Sequence, residues 1–312
     1  MVSVAACLAV WMPGQAQRSP GLPAGAEARS LLGQPLVPPP LPAATREAYE
    51  VRLAEAGLAW ERTPDNADSI IWLGRRTAYL GRYREAIGIF GDGLRRHPAD
   101  ARMYRHRGHR YITVRELANA IRDLAKADSL TRGKPDEIEP DGIPNARGIP
   151  TSTLHSNIRY HLGLAHYLLG HWEQAAAIFR RDVEASLARN NPDILVASSH
   201  WLYMALRRSG KPAEAARVLE PIRRDLPVIE NGSYHRLLLL YKGELPADSL
   251  LKGDKLGSVE DVTTGYGVGN WHFYNGRSAE AMAIWRRILE SPQWAAFGFV
   301  AAEAEIARQR QQ

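Results

Sequence analysis

"WLGRRTAYLGRYREAIGIFGDGLRRHP" (residues 72–98) is followed by "YRHRGHRYITVRELANAIRDLAKA" (104–127), and the second stretch lies on the first with a shift of 34 residues. Gly74 falls on Gly108, Tyr83 on Leu117, Ala86 on Ala120 and Phe90 on Leu124. Apolar residues recur at helical spacing, and small residues recur where two helices have to approach. The pattern returns as "LGLAHYLLGHWEQAAAIF" (162–179), "RRSGKPAEAARVL" (207–219) and "GNWHFYNGRSAEAMAIW" (269–285). Each copy reads as a helical hairpin. Gly74, Gly108, Gly163 and Gly269 let the second helix come close. Ala86, Ala120, Ala175, Ala215 and Ala281 do the same from the other side, and Phe90, Leu124, Phe179, Leu219 and Trp285 fill the gap to the next unit. Gly81, Gly170, Gly210 and Gly276 stand at the turns, where a positive φ favours glycine.

In-register recurrence of Gly, Ala and an aromatic at this 34-residue spacing resembles the tetratricopeptide repeat over residues 67–290. The resemblance implies an all-α, right-handed superhelix (α-solenoid) of about six hairpins. Residues 45–63 read as the second helix of a degenerate first unit, 233–251 as another degenerate unit, and 291–310 as a C-terminal capping helix.

Around this array the sequence divides simply. Residues 1–16, "MVSVAACLAVWMPGQA", are apolar and end in small residues, which fits a signal peptide cleaved after Ala16 and an exported, periplasmic or extracellular protein. "VAAC" at 4–7 offers the alternative of a lipoprotein anchored through Cys7, the only cysteine. Residues 17–43, with "PLVPPPLP", read as a Pro-rich tether with little ability to pack, and residues 44–312 as the repeat domain. Residues 129–154 interrupt the array as an insertion loop whose first half is acidic, with Asp136, Glu137, Glu139 and Asp141. It is expected to fold back near Arg102 and Arg105 and shape a pocket.

Composition sets limits on partners. The formal net charge is +6, but only six of the 40 basic residues are lysines and the arginine pairs are scattered. No basic stripe with interleaved aromatics points to nucleic acid. No run reaches the ~18 apolar residues of a transmembrane span.

The segment "MYRHRGHRYI" (103–112) concentrates Arg105, His106, Arg107, His109 and Arg110. Arg107 occupies the slot that Leu73 and Leu162 hold in other copies, facing the partner helix. A buried arginine there needs a carboxylate, and Asp123 supplies one. The resemblance implies the same pair, since some of these repeats couple an Arg-Gly on the first helix to an acid on the second. It also implies that one face of each first helix lines a concave groove. Carried along the array, that face presents Arg75, Tyr79, Arg102, Arg105, His109, Asn157, Tyr160, Tyr167, His200, Arg207, Tyr266, Asn270 and Tyr274. Tyr, Arg, His and Asn are side chains of adaptable recognition surfaces. Arg75, Arg102, Arg105 and His109 gather like charge at one end, where an anionic guest is expected. The family's clamps for acidic peptide ends usually use Lys and Asn; here Ile71 and Arg75 stand where that pattern begins.

Histidines occur without a metal-ligand motif, and no nucleophile elbow or phosphate-binding loop is present, so no metal, cofactor or catalytic residue is expected. The reading is a non-catalytic protein–protein interaction scaffold or adaptor that takes a peptide or protein partner, with an acidic segment or carboxylate, in its groove. The alternative is an enzyme or small-molecule-binding protein with a His/Tyr/Arg pocket under the 129–154 loop. An open, continuous groove favours the first reading. A deep pocket with converging polar groups favours the second.

Overall fold

The computed structural model describes residues 21–140, 142–251, 253 and 256–310. The expected signal peptide with Cys7, the start of the tether (17–20) and Asp141 lie outside the described residues. Within them the chain is an all-α helical-repeat solenoid. Helix α1 (Ala43–Arg62) leads into the hairpin α2 (Ala67–Tyr79) and α3 (Tyr83–Arg96). Three more hairpins follow: α4 (Ala101–Thr113) with α5 (Leu117–Thr131), α6 (Leu154–Leu168) with α7 (Trp172–Ala188), and α8 (Pro192–Arg208) with α9 (Pro212–Val218). Helix α10 (Gly232–Tyr241) is followed only by a 3-10 turn at Ala247–Ser249, so the degenerate unit lacks its second helix. Helices α11 (Val259–Tyr274), α12 (Ser278–Ile288) and α13 (Phe297–Gln309) complete the chain.

Local chemistry starts the helices where the repeat requires. The Asn66 side chain accepts from the Asp68 and Ser69 amides, Thr153 accepts from Ser156, and Ser258 with Asp261 forms a reciprocal capping box. Packing then fixes the register. A Cβ on Gly74 would lie 2.5 Å from Phe90, on Gly108 2.6 Å from Leu124, on Gly163 2.8 Å from Phe179 and on Gly269 2.7 Å from Trp285. Each glycine therefore receives the large residue sixteen positions on, and the repeat frame is a packing frame. The four turn glycines all have positive φ, and the second hairpin places Arg115 in that role at φ 66°.

Arg107 and Asp123 form the expected pair: Nε donates to Oδ2 at 2.6 Å and Nη2 to Oδ1 at 2.9 Å, with Asp123 buried. Removing one partner leaves the other charge without its ion partner, whereas removing both leaves an apolar contact. Arg107→Leu or Asp123→Leu alone should cost about 2–4 kcal/mol, and the double variant should be close to wild type in urea melts. Two harmless single variants would show that the pair contributes nothing to folding.

The expectation of an unpacked tether needs correction. Residues 21–42 lie on the array. A short antiparallel pair, β1 (Ala28–Arg29) and β2 (Pro35–Leu36), buries Ala28 and Leu36. Arg84 donates to the Glu27 carbonyl at 2.7 Å, and Trp294 Nε1 donates to the Val37 carbonyl at 2.7 Å. Proline-rich composition removes backbone donors, but it does not prevent carbonyls from accepting hydrogen bonds from arginine and indole.

The C-terminal helix does more than cap an end. Helix α13 packs against α11 and α12 and also reaches α6. Its Glu303 meets Arg115 across 188 residues of chain, with Nε–Oε2 at 3.0 Å and Nη2–Oε1 at 3.1 Å. Glu305 accepts from Arg208 at 2.9 Å and from the Tyr266 hydroxyl at 3.1 Å, and it pairs with Arg308 at 2.8 Å. Both glutamates are at most 1 % exposed. The array thus closes on its own acidic helix, which leaves a pocket where a continuous groove was expected.

Candidate functional site

The pocket is a cavity of ≈ 630 Å³ between the insertion loop, α6, α8, α10, the start of α11 and residues 293–297. Of the expected groove residues, Arg105, His109, Asn157 and Tyr160 line it. Arg75 and Tyr79 line a smaller adjoining pocket of ≈ 130 Å³, which shares Arg105 and His109 with the larger one. The other predicted positions lie elsewhere. Tyr167, His200, Tyr266 and Asn270 are buried. The Tyr167 and Tyr266 hydroxyls are 2.7 Å apart, Asn270 donates to Tyr167 at 2.7 Å, and Tyr266 reaches Glu305. Helix α13 covers Tyr266 through Glu305, whereas His200 packs against Tyr234 and Tyr241 of α10. Burial alone pushes the His200 imidazole down to about 3. Arg207 lies over the Tyr274 ring at 4.3 Å and donates to the Tyr274 carbonyl at 3.0 Å, away from both pockets.

Arg102 is also removed from the expected cluster. It pairs with Asp68 and Asp100, each at 2.6 Å, and lines a separate surface cleft. Asp100 sits at the N-cap of α4, and Asp68 stands one repeat before Arg102 itself, so the arginine is held between neighbouring units. The residues that join the site instead are His106 and Arg110. They extend the 105 and 109 row by one position each, a broad face of the same helix that a narrow helical stripe leaves out.

Insertion-loop residues 132–153 connect α5 to α6 and return over α2 and α4. Arg75 donates to the Pro140 carbonyl and Arg76 to the Gly142 carbonyl, both at 2.8 Å. Glu139 sits 3.0 Å from Arg105 Nη2 and accepts from Asn157 at 3.1 Å. Asp136 is held low, despite burial, by the His155 amide, Arg189 and Thr153. Across the cavity, Glu230 accepts from Thr151 and Asn145 and ties the loop to the segment before α10.

The imidazoles of this region are acceptors for neighbouring arginines. Arg105 Nη1 approaches His106 Nδ1 at 2.9 Å, and Arg110 Nη2 approaches His109 Nε2 at 2.6 Å. A guanidinium can only donate, so those ring nitrogens carry the lone pair and both rings are neutral. His161 Nδ1 donates to the Asn157 carbonyl at 2.6 Å, which leaves Nε2 as acceptor. Burial, then the arginine charges, holds His106 and His109 well below the usual imidazole range; burial and Arg105 do the same for His161. His109, His161, Tyr160 and Phe297 form one ring cluster, with the two imidazole centroids 4.3 Å apart.

Behind the wall, Asp182 accepts from Ser198 at 2.7 Å and Ser156 at 3.1 Å; burial pushes its carboxyl up to about 6. The serine hydroxyls point to this acid, not to an imidazole, which makes neither an activated nucleophile. Among the described residues no group of three or more His, Cys, Asp or Glu is placed to hold a metal ion. No helix among them is long and apolar enough to cross a membrane.

No protein-family profile matches the chain, and no curated protein matches it. Among solved structures it is similar to YrrB, a TPR protein with an unusual peptide-binding site, at 15% identity and a TM-score of 0.43, over 80% of this chain and 97% of that one. It is also similar to the P58(IPK) TPR domain at 11% identity and a TM-score of 0.23, over 83% and 93% of the two chains. The assignment of the architecture rests on this chain's own hairpins, in which every strong copy seats its large residue on the glycine sixteen positions earlier. By that geometry the protein is an array of repeated helical hairpins, similar in its packing frame to the tetratricopeptide repeat.

Proposed function

We propose that the protein is a non-catalytic, exported binding scaffold that takes an acidic segment of a polypeptide partner into the ≈ 630 Å³ cavity. Export rests on the apolar residues 1–16. One observation carries the ligand class: the site already holds an acidic piece of polypeptide. Glu139, from the insertion loop, reaches the buried Arg105 with a 3.0 Å ion pair and a 3.1 Å bond from Asn157. A partner carboxylate that took this place would find the same charge-assisted donors. The cavity lies within the ~300–1,000 Å³ of ordinary ligand sites and suits a chain end or short loop more than a long extended peptide.

A library of short peptides tests this, with each acidic member paired with its Asp→Asn or amidated form. Acidic members should bind, and their affinity should fall as salt rises toward a Debye length of ~8 Å. Arg105→Gln should weaken them at least tenfold, and Glu139→Gln, which removes the internal competitor, should strengthen them. Equal binding of acidic and neutral members, or no effect of Arg105→Gln, rejects the proposal.

A second reading, a small-molecule site, is favoured by the volume of the cavity and by His161 in its lining, whose Nε2 is an acceptor. Metabolite binding that survives Arg105→Gln but is lost in His161→Phe would select it.

A further inference from the structure

The smaller pocket raises a separate question of charge. Arg75, Arg105 and Arg110 line its ≈ 130 Å³ together with His106, His109 and Tyr79. Arg75 is 9 % and Arg105 8 % exposed. Among the described residues, one carboxylate, Glu139, forms an ion pair with any of the three guanidiniums. Arg75 is held by the Pro140 carbonyl and lies over the Trp72 ring at 4.4 Å. Arg110 is held by neutral His109 and lies 5.5 Å from the Tyr83 ring. These contacts are to neutral groups. Arg105 Nε is buried and has no hydrogen-bond partner among the described residues. Burial lowers the Arg110 guanidinium to about 10, with Arg105 and Arg75 adding to the effect.

The lining is also one-sided in its hydrogen bonding. The ring acceptors of His106 and His109 are already taken by arginines, so what these rings still offer is N–H. A largely buried pocket with surplus positive charge among the described residues, and mostly donors, suits an anion. A water molecule's share of liquid volume is about 30 Å³, so ≈ 130 Å³ holds a group of about four or five heavy atoms. That is the scale of a tetrahedral oxyanion, which guanidiniums grip through paired N–H donors.

We propose that Arg75, Arg105, Arg110 and the N–H of His109 form a binding site for a small tetrahedral oxyanion of the phosphate class. The site adjoins the peptide cavity and shares Arg105 and His109 with it, whereas Arg75 and Arg110 line only the smaller pocket. Glu139 competes with the anion for Arg105 and so sets how tightly it is held.

The test titrates inorganic phosphate into the full chain by calorimetry, after exhaustive dialysis into a chloride buffer of matched ionic strength. Wild type should bind one phosphate, and its melting temperature should rise with phosphate but not with added chloride. Arg110→Gln should bind at least tenfold more weakly. Without phosphate it should melt no lower than wild type, because it removes a half-buried cation that pairs with no carboxylate among the described residues. Glu139→Gln should bind at least tenfold more tightly. Phenyl phosphate serves as a second probe: stronger binding than inorganic phosphate means that the oxyanion arrives as the phosphoryl group of a larger molecule, and equal or weaker binding means a free ion. No phosphate binding by either wild type or Glu139→Gln overturns the proposal. So does a folded Arg110→Gln that binds as wild type does. Binding seen only in Asp141→Asn also overturns it, since the loop's own carboxylate would then neutralise the pocket. Peptide binding by Arg110→Gln keeps the fate of this proposal separate from that of the cavity.

Discussion

Arg115→Gly should destabilise the protein by about 3–5 kcal/mol, even though it restores the residue that the other hairpin turns use. A left-handed conformation costs a non-glycine residue roughly 1–2 kcal/mol, and glycine would relieve that cost. The side chain reverses the balance. Its guanidinium forks onto Glu303 and also donates to the Thr113 carbonyl at 2.6 Å and the Trp294 carbonyl at 2.8 Å. Glycine leaves Glu303 as a buried carboxylate whose remaining contact is a long 3.4 Å bond from the Leu31 amide. Urea unfolding should show the loss, and hydrogen exchange should place the first opening in α13. Combining Arg115→Gly with Glu303→Leu should recover most of the stability, since no charge is then stranded. If the single variant is as stable as wild type, the ion pair is not what holds α13 down.

Removal of residues 1–41 should cost about 3–6 kcal/mol, from Leu36 and the Trp294 surface that the segment covers, at ~1.5–3 kcal/mol each. The segment covers Trp294, whose indole meets the edge of Tyr83 at 5.6 Å and donates to Val37. It also contributes the buried Ala28 and Leu36. The truncated chain should melt at a clearly lower temperature and show red-shifted tryptophan emission. An unchanged melting temperature would mean that the segment rests on the array without stabilising it.

The repeat frame can be read much further from the sequence than the closure of the array can. The hairpin register was legible because it is local: a glycine and its large partner are sixteen residues apart, and the copies repeat the relation. Arg107 and Asp123 were legible for the same reason, together with the cost of burying arginine alone. The return of the acidic loop toward Arg105 could be anticipated from charge. The closure of the concave face could not. Glu303, Glu305 and Phe297 make their contacts with Arg115, Arg208 and His161, far away in the chain, and a capping helix and a groove-filling helix have the same local pattern. That is why Tyr167, Tyr266 and Asn270 were expected on a surface that does not exist, while His200 is buried under Tyr234 and Tyr241 of α10. Arg110 and His106 were missed because their place in the pocket depends on how α2 and the loop lie over α4.

The closure has a consequence for how the chain acquires its structure. In an open solenoid each repeat touches only its neighbours, so folding can start anywhere and spread, and the ends fray independently. Here residues 31 and 303, 37 and 294, and 115 and 303 are in contact. These contacts require very long loops to close before they contribute, which slows folding as relative contact order rises. They also join the first and last segments to the middle of the array. A chain arranged in this way unfolds as a single cooperative unit, and a terminal repeat cannot be removed or an extra one added without opening the ring.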